Sequence, residues 1–301
     1  MMCAIAVCAL SSSALAADAR LIEAVKRQDA AAVRTLVKQK VDVNTPLPDG
    51  TTALQWAANR DNTEIASLLV KAGARVDQGN DYGVTPLSLA CENGSPSMIE
   101  LLLTAGADPN LPLPTGETPL MTASRTGKLA AVTLLLDKGA NVNAEEPVAG
   151  QTALIWALSE QHMPIVKALI DRGAKVTHAS KSGFTPLMMA ARVGNTEAAT
   201  LLLDNGANVN DVAADGVSVL MVAVMRGHPD LAMYLLGKGA NPNIDKAGYT
   251  ALHWAAGRWE SSMTHDYPTT EHPEWRYLNG VPAKKVALVM ALIAHGADVN
   301  A

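Results

Sequence analysis

The chain is 301 residues long and carries 24 Lys and Arg against 29 Asp and Glu, a formal net charge of −5. A mildly acidic chain has no basic surplus with which to gather phosphates or anionic lipid, which excludes nucleic acid and membrane surfaces as expected partners. Hydrophobic residues make up 49% of the chain and aromatics only 4%, as expected when Leu, Val and Ala do most of the packing.

Residues 1–16, MMCAIAVCALSSSALA, join an apolar run to Ala14-Leu15-Ala16, the small-x-small form of a signal-peptidase site. The expectation is a signal peptide cleaved near Ala16 and export to the periplasm or beyond the cell. The basic segment that normally precedes such a run is absent, which a misplaced start codon explains; the alternative is an ordinary disordered N-terminus. The run is too short to span a membrane, and no later stretch stays uncharged for the roughly 18 residues required. Cys3 and Cys8 would leave with the signal. Ile5-Ala6-Val7-Cys8 matches a lipoprotein anchor only loosely, because Val7 is bulky where a small residue is wanted. That leaves Cys91, expected as a small buried core residue that forms no intrachain disulfide.

Residues 18–44 read as a helical pair whose first helix is polar (Arg20, Glu23, Lys26, Arg27, Gln28, Asp29), suited to an end that faces water. From there the chain repeats itself. A Thr, once a Ser, opens each copy at Thr52, Thr85, Thr118, Thr152, Thr185, Ser218 and Thr250, in steps of 33, 33, 34, 33, 33 and 32 residues. A closing glycine keeps the beat at Gly73, Gly106, Gly139, Gly173, Gly206 and Gly239, then waits until Gly296.

One copy shows the local logic. Thr185 caps a helix through its side-chain oxygen, and Pro186 fits the first helical position, where no backbone donor is missed. Leu187, Ala190, Ala191 and Gly194 form a narrow stripe of mostly small residues that lets neighbouring helices approach. After the turn at Gly194-Asn195, Ala198, Leu201 and Leu202 make the buried side of a second, antiparallel helix, which stops at Gly206. One such pair cannot bury its apolar side alone, so copies must stack.

A period near 33 carrying T-P-L-x-x-A, L-L and G-A-x-V-N resembles the ankyrin repeat over roughly residues 18–301, of the kind found in exported bacterial proteins. The resemblance implies an all-α repeat solenoid of helix-turn-helix units with β-hairpin fingers. The domain would run over 17–301, with an N-terminal cap at 18–44 and seven repeats beginning near 48, 81, 114, 148, 181, 214 and 246.

The last repeat departs from the pattern. Gly239 to Gly296 spans 57 residues where 33 are expected, so 24 have been inserted at about 259–282. The insertion holds Trp259, Tyr267, Trp275 and Tyr277, too aromatic for a flexible linker, and is expected as an ordered flap or partner contact. Its His265, Asp266, Glu271, His272 and Glu274 match no zinc or calcium spacing, so neither metal nor cofactor is expected. The final helix, KKVALVMALIAH from Lys284 to His295, is apolar nearly all round. Its uncovered side is expected to meet a partner end to end, or to mark an array whose continuation is missing.

Catalytic patterns are absent: no G-x-S-x-G elbow, H-E-x-x-H, P-loop or paired Cys/His set occurs, so an enzyme is not expected. His253, in Thr250-Ala251-Leu252-His253, and His228, after Gly227, are expected to stabilise turns.

If the small-residue stripe faces the core, residues four and eight after each cap face the hollow of the solenoid. The first column reads Trp56, Leu89, Thr122, Trp156, Met189, Val222 and Trp254. The second reads Arg60, Asn93, Thr126, Glu160, Val193, Arg226 and Arg258, joined by Arg125 and Arg192 seven after their caps. Tryptophan and arginine dominate interface energies, so Trp56, Arg60, Arg125, Trp156, Met189, Arg192, Arg226, Trp254 and Arg258 are the expected partner-binding set. Packing beneath neighbouring helices is the competing role for the fourth-position column. The expected function is non-catalytic binding of a protein or peptide on the concave face and fingers. The alternatives are a regulatory or targeting array of a larger protein, a host-directed secreted effector, and a metal or small-ligand receptor built on the insertion.

Overall fold

The computed structural model describes residues 20–256 and 282–301. The expected signal segment, Arg258 and the aromatic insertion lie outside the described residues. Backbone contacts divide the chain into two compact units, and the division falls between Val148 and Ala149, where a repeat is expected to begin.

The first unit holds α1 (20–26), α2 (Ala30–Lys38), α3 (Ala53–Asn59), α4 (Thr63–Lys71), α5 (Pro86–Asn93), α6 (Pro96–Thr104), α7 (Pro119–Arg125) and α8 (Leu129–Asp137). The second holds α9 (Ala153–Ser159), α10 (Met163–Asp171), α11 (Pro186–Val193), α12 (Thr196–Asp204), α13 (Val219–Met225), α14 (Pro229–Gly237), α15 (Ala251–Ala256) and α16 (Pro282–Ala294). Within each unit, first helices pack on first helices (α3 on α5 on α7; α9 on α11 on α13 on α15), and each lies against the second helix of its own pair.

The caps explain where the helices start. Thr52, Thr85, Thr118, Thr185 and Ser218 sit in extended backbone and accept a hydrogen bond from the amide three residues on. Gln55 closes a capping box by accepting from the Thr52 amide at 2.6 Å, and its Nε2 donates to the carbonyls of Gln78 and Val84 in the next copy. His253 plays the corresponding part in the last copy. Its Nδ1 accepts from the Thr250 amide at 3.1 Å and lies 2.9 Å from the Thr250 hydroxyl. Thr152 keeps the extended backbone but makes no side-chain capping bond.

Layers are close because the residues between them are small. Ala57, Ala58, Ala90, Cys91, Ala123 and Ser124 are wholly buried in the first unit, flanked by Leu54, Leu87 and Leu120 at 1% exposure. Burying each leucine contributes about 1.5–3 kcal/mol. Cys91 is the core residue expected, and burial pushes its thiol pKa far up, which keeps it unreactive.

The fingers are hairpin tips rather than ladders. In the first, the Leu47 amide donates to Thr51 O at 2.8 Å and Gly50 N donates to Leu47 O at 2.9 Å; the same pair of bonds recurs at Asn80–Val84, Leu113–Glu117, Ser180–Phe184 and Ala213–Val217. Extended pairing stops there: among the described residues the isolated bridge recorded is Val212 with Ser218. Successive fingers are instead tied tip to tip, as by Asp81 N to Asp49 O at 3.0 Å and Ala214 N to Ser182 O at 2.9 Å.

A second tie runs behind the fingers. Asn110 Nδ2 donates to Gly139 O at 3.1 Å while its Oδ1 accepts from Asn141 N at 2.7 Å. Asn44, Asn210 and Asn243 make the same two bonds to the following copy. The G-A-x-V-N signature is thus a layer-to-layer clamp.

Candidate partner-binding face

The fourth residue of each first helix lies just outside the layer of small residues, and its exposure differs from copy to copy. In the first unit Trp56 and Leu89 are half-buried, while Thr122 is 3% exposed and donates to a Glu117 carboxylate oxygen at 2.7 Å. The Trp56 ring carries two cations: Lys26 Nζ lies 5.0 Å and the Arg60 guanidinium carbon 5.9 Å from its centroid. Its indole Nε1 is buried without a hydrogen-bond partner. The one polar group of the indole is therefore left unsatisfied by the protein itself, while its face already carries two cations.

The seventh and eighth positions serve two purposes. Arg125 is held by Glu92 at 2.9 Å and by Glu117 at 3.6 Å, so much of its charge is already answered. Asn93 reaches back to the preceding helix, donating to Ala58 O at 3.0 Å and Asn59 O at 3.1 Å, and Thr126 Oγ1 donates to Ala123 O at 3.2 Å. These residues satisfy helix-end carbonyls that would otherwise lack donors. Arg60 remains exposed.

In the second unit Trp156 and Trp254 are half-buried, and Trp254 meets Tyr249 edge-on, with centroids 5.6 Å apart at 76°. Met189 and Val222 lie beneath the surface at 6% exposure each, so they belong chiefly to packing. Arg192 is exposed and Arg226 half-buried. His228 Nε2 donates to Arg192 O at 3.2 Å, and its ring lies so close over Gly194 that a Cβ there would stand 2.4 Å from Nδ1. The histidine is a turn lock, as the sequence suggests. The remaining expected residues, Arg258, Trp259, Tyr267, Trp275 and Tyr277, lie outside the described residues.

Sequence reasoning did not find Lys26, because the first helical pair lacks the repeat signature and its register against Trp56 cannot be aligned. It also passed over the exposed finger residues Tyr82 (72%) and Val148 (77%). The Glu92–Arg125 pair was findable: each stands seven residues after its own cap, one copy apart. Asp49, at a finger tip, has its carboxyl held below the usual range chiefly by the Thr51 amide, which donates to it at 3.0 Å.

Among the described residues no group of His, Cys, Asp and Glu is arranged to hold a metal ion, and no helix is long and apolar enough to cross a membrane. The family model for ankyrin repeats in three copies matches residues 21–113, 145–213 and 187–262, and that for a single ankyrin repeat matches 115–146. The crystal structure of the human ASB11 ankyrin repeat domain is similar at a TM-score of 0.64 and 31% identity, over 71% of this chain and 96% of that one. The ankyrin repeat domain of Bcl-3, described as a unique member of the IkappaB protein family, is similar at 0.62 and 31%, over 68% and 94%. No curated protein matches the chain.

Proposed function

Because this chain belongs to the ankyrin repeat family, whose repeats are generally protein–protein interaction modules on a non-catalytic scaffold, we propose that it binds a partner protein or peptide along its first helices and fingers. The observation that carries this reading is Trp56: a half-buried indole with Lys26 and Arg60 over its ring. Such a residue is suited to anchor a partner, since tryptophan and arginine yield large energies once water is excluded. Trp156, Arg192, Arg226 and Trp254 offer a comparable set in the second unit. Arg125 contributes less, because Glu92 and Glu117 already neutralise it.

The same reading takes the chain to be exported, with a signal peptide removed near Ala16; Ala14-Leu15-Ala16 supports it. Mass measurement of the native N-terminus tests that part. The binding part is tested by capture from envelope and culture fluid, comparing the wild type with a Trp56→Ala, Trp156→Ala, Arg226→Ala variant whose helical spectrum is unchanged. A partner retained by the wild type and lost by the variant is the expected result; equal capture by both would refute the site.

A further inference from the structure

The cations on Trp56 restrict what can sit on its ring. Lys26 Nζ stands 5.0 Å and the Arg60 guanidinium carbon 5.9 Å from the ring centroid, so the surface a partner would stack on is already held by the chain's own charges. Neither cation is locked there. Lys26, at the end of α1, is partly exposed and shared with a Glu23 oxygen at 3.1 Å. Arg60, the C-cap of α3, is exposed and, among the described residues, makes no ion pair. Its amide donates to Trp56 O at 3.0 Å, which fixes the backbone from which the side chain reaches the ring.

One layer on, Leu89 is half-buried in the same column and extends the apolar surface. Thr122, the next in the column, is polar and buried, and Arg125 beside it is already paired with Glu92. The apolar footprint is thus two rungs long, with Lys26 and Arg60 at the Trp56 rung.

An apolar side chain reaches the indole only by displacing Lys26, Arg60 or both, which loses their attraction to the ring. A neutral partner supplies no replacement, and a basic one adds like charge beside the displaced cations. A carboxylate next to the apolar residue receives a displaced cation in a charge-assisted hydrogen bond, bidentate for Arg60. A phosphate chain fits less well, because it carries charge at every step. Glu23 stands 3.1 Å from Lys26 and Asp61 follows Arg60, and such a chain would meet both.

Given Trp56 as a partner anchor, on which this rests, we propose that the site takes an acidic peptide segment in which one apolar residue is flanked by Asp or Glu. The apolar residue stacks on the indole while Lys26 and Arg60 swing off the ring to pair with the flanking carboxylates. The two cations then act as a filter, covering the anchor against neutral and basic segments and opening it to acidic ones.

Dye-labelled, capped pentapeptides titrated against the 301-residue chain by fluorescence anisotropy test the filter. The probes are Glu-Glu-Leu-Glu-Glu, its counterparts with Gln or Lys in place of Glu, and a thymidine octamer. The glutamate peptide should bind about tenfold more tightly than the glutamine peptide, a preference that shrinks as salt is raised. Lys26→Gln with Arg60→Gln should remove the preference from both sides: the glutamate peptide binds more weakly and the glutamine peptide more tightly, because the ring is uncovered. Damage to the fold would weaken both peptides, so opposite movement is a readout that damage does not mimic. Equal binding of the glutamate and glutamine peptides would overturn the proposal, as would a preference that survives the double substitution or weakening of both peptides by it. Tighter binding of the lysine peptide or the octamer, or no binding by any peptide, would overturn it too. Equal binding that Trp56→Ala still abolishes would leave Trp56 an anchor and remove its acidic selectivity alone.

Discussion

Asn210 is the most direct probe of how the layers are held. Its Nδ2 donates to Gly239 O at 3.2 Å and its Oδ1 accepts from Asn241 N at 2.7 Å, so Asn210→Ala removes both bonds between successive copies. A typical hydrogen bond contributes about 0.5–1.5 kcal/mol net. The groups keep some access to water, which can replace part of each bond, so the expected loss is about 1–2 kcal/mol for the pair. The reciprocal change exists in the same unit. Thr177 occupies the clamp position before Gly206, where its side chain cannot span both groups. Thr177→Asn should therefore restore bonds to Gly206 O and Asn208 N and stabilise by about 1 kcal/mol, less the entropy of fixing the amide. Urea unfolding followed by circular dichroism reads both variants, with midpoints expected to move in opposite directions by roughly 0.3–1 M. An unchanged midpoint for Asn210→Ala, together with no gain from Thr177→Asn, would refute the clamp as a source of stability.

Four further substitutions test other parts of the account. Gln161 holds φ 58° in the turn between α9 and α10, where Gly194 and Gly227 stand in later copies, so Gln161→Gly should raise the thermal midpoint, reflecting about 0.5–1 kcal/mol of relieved strain. Gly116 holds φ +84° and a Cβ there would lie 1.9 Å from Pro147 Cδ, whereas Gly139, at φ +89°, has nothing within 4 Å. Denaturant titration should show Gly116→Ala costing about 2–3 kcal/mol and Gly139→Ala about 1 kcal/mol. Burial raises the pKa of Asp211 above its ordinary 3.8, against smaller opposing effects from Asn208 and Thr185. The folded state therefore favours the protonated acid, so native stability falls as pH rises through 3.8 toward the folded pKa. Asp211→Asn should be more stable than the wild type at neutral pH, and the difference should close as the medium is acidified to pH 3.8 and below.

Much of the fold is legible because its cause is local and periodic. Thr52, Thr85, Thr118, Thr185 and Ser218 cap their helices where the 33-residue beat places them. The small residues at Ala57, Ala90 and Ala123 are buried for the reason their spacing suggests. Reach between copies is harder to read. That Asn93 satisfies carbonyls of the preceding helix depends on where a side chain lands one layer away, which its own neighbours in sequence do not encode. In the fourth-position column Met189 and Val222 sink to 6% exposure while Trp56, Trp156 and the smaller Leu89 stay half-buried, so residue size alone does not tell which rungs are covered. Lys26 over Trp56 joins the atypical first pair to the first full repeat, a register that repeat periodicity does not set.

Hydrogen–deuterium exchange of the chain with and without its captured partner tests the central claim most directly. Binding at the proposed face should slow exchange in the first helices and finger tips, notably at 47–60 and 153–160, and leave α4 and α10 unchanged. Protection confined to α4, α10 and the other second helices would contradict the account.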